Sequence, residues 1–91
     1  MSAFYDIIRQ KVMYSAIQTN KRASQKNRAQ NAEMFGKFEA YAEVLQEFGH
    51  EVEYTHWEDE CGGLVRIGRI RIGNDSTWLG KGFDGEGGPQ G

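Results

Sequence analysis

Residues 31–48 carry the pattern that most restricts what this chain can become. At 100° per residue, Met34, Phe35, Phe38, Tyr41, Ala42, Val44, Leu45 and Phe48 fill one half of a helical wheel. Glu33, Gly36, Glu39, Glu43, Gln46 and Glu47 fill the other half. Lys37 alone strays to the apolar edge, where its stem can lie on apolar surface while the ammonium reaches water. Asn31 serves as N-cap, Glu33 suits the positive first turn, and Gly49 supplies a left-handed stop. A helix with one apolar half must be covered by the rest of the chain or by a partner.

Ser2 caps an earlier helix over residues 3–19. Its apolar residues form no single stripe. Phe4, Ile7 and Tyr14 fall on one side, while Tyr5, Ile8, Val12 and Ala16 fall on another. Met13 and Ile17 extend the arc further. A helix apolar over so wide an arc is covered on more than one face. In a chain of 91 residues the expected second cover is another copy of the chain, through Phe4, Ile8, Val12, Met13 and Ile17.

Residues 20–30, NKRASQKNRAQ, hold no large apolar side chain. Asn and Ser weaken a helix here although Lys, Arg, Ala and Gln favour one. The expectation is a break near Thr19 and Asn20 and a fresh start near Asn31, with one long helix as the alternative.

From residue 51 the period changes to two. Val52, Tyr54 and His56 alternate with Glu51, Glu53, Thr55 and Trp57, as in a strand. Residues 59–63, DECGG, form a turn. A second strand spans residues 64–73, and its apolar parity switches between Ile67 and Ile70. A β-bulge at Gly68 explains the switch and leaves Arg69 and Arg71 on one solvent face. Asn74 and Asp75 turn the chain into a short third strand at 76–79. The expected class is α+β, with two N-terminal helices on a two- to three-stranded antiparallel meander. Residues 1–80 make one domain, and the glycine-rich residues 81–91 are a flexible tail.

The net charge of −2 conceals a strong asymmetry. Residues 1–30 hold six basic side chains and one acid, whereas residues 31–60 hold nine acids and one lysine. The two stretches either neutralise each other, within the fold or in a dimer, or present a patch to a charged partner. A single cysteine excludes an internal disulfide. No apolar run approaches the ~20 residues that cross a bilayer, and no signal-peptide pattern opens the chain. The expected location is the cytoplasm, with no membrane partner.

Catalytic and metal chemistry find little support. His50, His56 and Cys61 are candidates for a nucleophilic pair, but Cys61 stands among acids, which raise a thiol pKa. Their spacing matches no zinc or calcium signature. No phosphate-cradling loop is present. The expectation is a protein that is not an enzyme and takes neither metal nor cofactor. Two binding surfaces remain. Glu39, Glu43 and Glu47 stand four residues apart, where like charges cost a few tenths of a kcal/mol per pair. They suit a basic groove on another protein, so the first reading is an inhibitor or adaptor that forms a homo-oligomer. The alternative is a nucleic-acid or nucleotide binder using Lys21, Arg22, Lys26 and Arg28 with Arg66, Arg69 and Arg71. Pairing of those arginines with Glu51, Glu53 and Glu58 across the hairpin would silence it.

Overall fold

The computed structural model describes residues 3–59 and 63–79. The expected order of elements holds: α1 (Ala3–Ser24), α2 (Arg28–Glu47), β1 (Val52–Glu58), β2 (Val65–Ile72) and β3 (Asp75–Trp78). The strands form one antiparallel sheet in the order β1-β2-β3, with the helices on one face. This is an α+β fold. The expected tail and the Cys61 turn position lie outside the described residues.

The core lies between the layers. Ile8, Val12 and Ala16 come from α1; Phe38, Ala42 and Leu45 from α2; Val52, Ile67, Ile70 and Ile72 from the sheet. Two of the expected interface residues, Ile8 and Val12, are thus buried inside the single chain, and Met13 is half-buried against the same core. The wide arc of α1 divides otherwise than expected. Its Ile8–Val12–Ala16 side faces inward, and its Ile7–Tyr14 side faces solvent.

The break expected at Thr19 and Asn20 does not occur. Helix α1 runs on to Ser24 and closes on a Schellman turn: Asn27 N–H donates to Arg22 O and Lys26 N–H to Ala23 O. Lys26 takes the left-handed position at φ 59°. Asn27, rather than Asn31, caps α2, its side chain accepting from Gln30 N–H at 3.2 Å. At the far end Gly49, at φ 92°, closes α2 as its sequence position implies, with His50 N–H donating to Leu45 O.

Asn20 and Asn31 have another role, for both are buried. Strand β3 pairs with β2 only from Arg69 to Ile72, so among the described residues no strand lies beside Val65 to Ile67 on that side. The two amides fill the gap. Asn31 donates Nδ2 to Val65 O and accepts from Val65 N–H, at 2.9 and 2.8 Å. Asn20 does the same for Ile67, at 2.8 and 2.7 Å. Asn31 Nδ2 also donates to Thr19 O, tying the two helices together. Each amide presents a donor and an acceptor side by side, as a neighbouring strand would. Beside them, the buried Ser15 and Thr19 hydroxyls donate to Lys11 O and Ser15 O within α1, so neither is left unpaired.

The parity switch on β2 is a bulge, as expected. Thr55 alone on β1 stands opposite Gly68 and Arg69, between the pairs His56–Ile67 and Tyr54–Ile70. The Thr55 hydroxyl accepts from the Arg69 N–H at 3.0 Å. Trp57 and Trp78 close over Gly68, where an added Cβ would stand 2.9 and 3.3 Å from their rings. The following hairpin turns one residue earlier than expected, at Gly73 and Asn74. Gly73 at φ 61° in the first central position is the signature of a type II′ turn.

Three substitutions, at two positions, test this account by urea unfolding. Asn31→Ala strands the polar groups of Val65 in the core and costs about 2–4 kcal/mol. Asn31→Asp, which keeps the shape but loses the donors, fares no better at pH 7. Gly68→Ala forces the indoles off the bulge and costs about 1–3 kcal/mol, with a red shift in tryptophan emission.

Candidate functional site

Three charged regions result from this fold. The first is the α2 flank away from α1, beside β1. Glu39, Glu43 and Glu47 are all exposed there. None forms an ion pair with a described residue; Glu33, by contrast, is paired with Lys37 one turn on, at 3.8 Å. The Tyr54 hydroxyl on β1 lies 3.5 Å from Glu39 Oε2, anchoring one end of the acidic ridge to the sheet. Burial, and then the Glu39 carboxylate, raise the Tyr54 pKa above the ordinary tyrosine range.

The second region is the outer face of the sheet, which no helix among the described residues covers. It carries Arg66, Arg69 and Arg71 with Trp57 and Trp78. The bulge places Arg69 and Arg71 on one face, as the sequence implied. Arg71 is neutralised there by Glu53 at 2.9 Å and Glu51 at 3.3 Å. The hydrogen bonds it donates to Glu53 and then to Glu51 push its pKa up. Arg66 pairs with Asp59 at 3.7 Å, rather than with the expected Glu58, and also donates to Ser24. Arg69 forms no ion pair with a described residue and lies over the Trp78 ring, 5.6 Å from its centroid. A shallow depression of about 630 Å³ opens beside Arg69 and Arg71 toward Thr55 and Ser76.

The third region surrounds the α1–α2 turn. Lys21, Lys26 and Arg28 are exposed, and Arg22 is half-buried with its Nη1 donating to Gln25. Because Asn20 and Asn31 fix this end of the helices to the start of β2, Arg66 joins the cluster. Arg71 lies at the opposite end of its strand, where Glu51 and Glu53 hold it. The seven basic residues proposed for nucleic acid therefore form no single patch.

The candidates for chemistry are dispersed. His50 stacks on Tyr5 at 4.5 Å, whereas His56 rests against Phe35 and Tyr54 and is exposed. Its strand parity points toward α2, as expected, but there it meets aromatic edges at the margin of the core. Cys61 lies outside the described residues. Among the described residues no group of three or more His, Cys, Asp or Glu is placed to hold a metal ion, and no helix is long and apolar enough to cross a membrane.

Phe4 and Ile17 of the expected oligomer interface remain exposed, and Ile7, Tyr14 and Phe48 join them. The sequence signal for Ile7 and Tyr14 was the Phe4–Ile7–Tyr14 side of the α1 wheel, of which the expected interface took only Phe4. No family model, curated protein or solved structure matches the chain.

The Tyr54–Glu39 contact has a pH signature. A raised folded-state pKa means that ionising Tyr54 is harder in the fold than in the unfolded chain. That stability is fully present below the unfolded pKa of about 10 and is lost as pH rises through the folded value. Thermal melting of the wild type should therefore fall more steeply with alkaline pH than that of Tyr54→Phe. At pH 7 the variant should be less stable by only about 0.5–1 kcal/mol.

Proposed function

We propose that this chain is a non-catalytic binding protein that assembles with itself and acts as an inhibitor or adaptor. Its recognition surface is the acidic ridge of Glu39, Glu43 and Glu47, and its target is a basic groove on another protein. The observation that carries this reading is a contrast in pairing. On the sheet, Arg66 and Arg71 are neutralised by acids of their own hairpin. On α2, three stacked carboxylates face solvent with no cation of the described chain within ion-pair distance. Within a single copy their mutual repulsion is unrelieved, and it falls when a cationic surface arrives. Complementary charge of this kind speeds encounter and discriminates between partners.

The nucleic-acid alternative retains one unpaired arginine, Arg69, and the basic turn. Its outer sheet face bears nearly as many acids as bases, which is a poor footprint for a polyanion.

The test is charge reversal with the fold intact. Glu39→Lys, Glu43→Lys and Glu47→Lys together leave the circular dichroism unchanged, because all three are exposed. Affinity capture from the native host, compared between wild type and triple variant by quantitative mass spectrometry, should show partners lost by the variant. Those partners should elute from the wild type with rising salt. Undiminished capture by the variant would sink the ridge as the recognition surface. A mobility shift of single- or double-stranded probes at low salt, weakening steeply as salt rises, would establish the alternative.

A further inference from the structure

The helix layer has a second face, turned away from the sheet. Between α1 and α2 it holds a groove of about 420 Å³, lined by Ile7, Lys11, Tyr14, Met34, Lys37 and Tyr41. Ile7 and Tyr14 form one wall and are 51% and 64% exposed. At one end Phe4 and Phe48 stack at 5.0 Å and are 44% and 66% exposed. With Ile17, these side chains leave roughly 500 Å² of mainly apolar surface in water, taking ~200 Å² per large side chain. That is near the upper limit of the ~300–600 Å² patch found on monomers, which is often functional.

We propose that this face is the interface of a twofold dimer of the chain, with α1 of each copy antiparallel to the other and Tyr14 near the axis. The inference rests on the self-assembly half of the function proposed above. It replaces the interface residues expected from sequence. Area and charge both select a second copy. Two helices of about 30 Å lying ~10 Å apart present a face of roughly 600 Å². A standard interface takes ~800 Å² of accessible surface per partner, so this face and its rim suffice.

Charge fixes the direction. The molecule is 40 Å in its longest extent. The α1–α2 turn carries Lys21, Arg22, Lys26 and Arg28 at one end of the helix layer, while Asp6, Glu43 and Glu47 lie toward the other. A parallel pair would place base on base and acid on acid. An antiparallel twofold brings each basic end toward the acidic end of the other copy and leaves the α2 flank with its ridge outside the contact. The same surface thus supplies both halves of its own complement, as an isologous contact requires. Lys11, already over the Tyr41 ring at 5.7 Å, and Lys37 can lay their stems along the apolar groove and keep their ammonium groups at the rim.

Sedimentation equilibrium of the full chain, from micromolar to near-millimolar concentration, tests the proposal. Twice the chain mass is expected at the upper end. Tyr14→Glu should weaken association at least tenfold with an unchanged circular dichroism spectrum, since Tyr14 supports no core contact. In a Cys61→Ser background, Tyr14→Cys should form a cross-linked dimer on mild oxidation and Ile7→Cys should not. A wild type that stays monomeric throughout, or a Tyr14→Glu variant that associates as tightly, overturns the interface. Faster cross-linking through Ile7→Cys overturns the antiparallel direction. The two proposals fail separately. A monomer that still captures its partner through the ridge sinks the dimer alone, and a dimer that captures nothing sinks the ridge alone.

Discussion

Two carboxamides make the rest of this structure possible. Strand β2 is the central strand of the sheet, yet among the described residues Val65 to Ile67 have a neighbouring strand on one side only. Backbone N–H and C=O groups left bare in a core cost about 1–3 kcal/mol each. Asn20 and Asn31 pair all four such groups of Val65 and Ile67. In doing so they set the height of both helices against the sheet. The aliphatic core of Ile8, Val12, Phe38, Leu45, Ile67 and Ile70 fills the space that those bonds define. Hydrophobic burial supplies the larger driving force, but it is nondirectional. The amides choose one register from the many that a small apolar core would accept.

What the sequence revealed and what it hid divide along that line. The amphipathic half of α2 was legible because apolar periodicity reports burial directly. The bulge was legible because a strand cannot keep Ile67 and Ile70 on one face without an extra residue. The polar stretch at 20–30 misled because Asn, Ser and Thr ordinarily mark exposed or broken helix. Here Ser15, Thr19, Asn20 and Asn31 are among the most buried residues in the chain. Their partners, 34 and 47 residues away for the two asparagines, have no local signature. A trace was nevertheless present: Val12, Ser15, Ala16, Thr19, Asn20 and Ala23 recur at helical spacing and are small or hydrogen-bonding, the composition of a close helix contact.

The charged surfaces followed a similar rule. Opposite charges across a hairpin are set by register, so the neutralisation of Arg71 by Glu51 and Glu53 was foreseeable from the strand pattern. Arg66 chose Asp59 because β1 and β2 remain in step to the start of the turn. The apolar residues of α1 were harder. Two arcs of similar hydrophobicity compete for the core on a bare wheel. The sheet decides between them, because Asn20 must point at β2 and thereby turns Ile8 and Val12 inward. Tyr14 and Ile7 are left to solvent by the same rotation.

The asparagine bonds also bear on how the molecule divides. In effect they are a fourth strand made of side chains, borrowed from the helices. The helical hairpin is therefore part of the sheet's hydrogen-bond network, and the sheet is part of the helical interior through Thr19 and Val65. Lifting the helices away would uncover oily side chains and also expose a raw strand edge. Neither layer is a module that could be inherited, swapped or trimmed by itself.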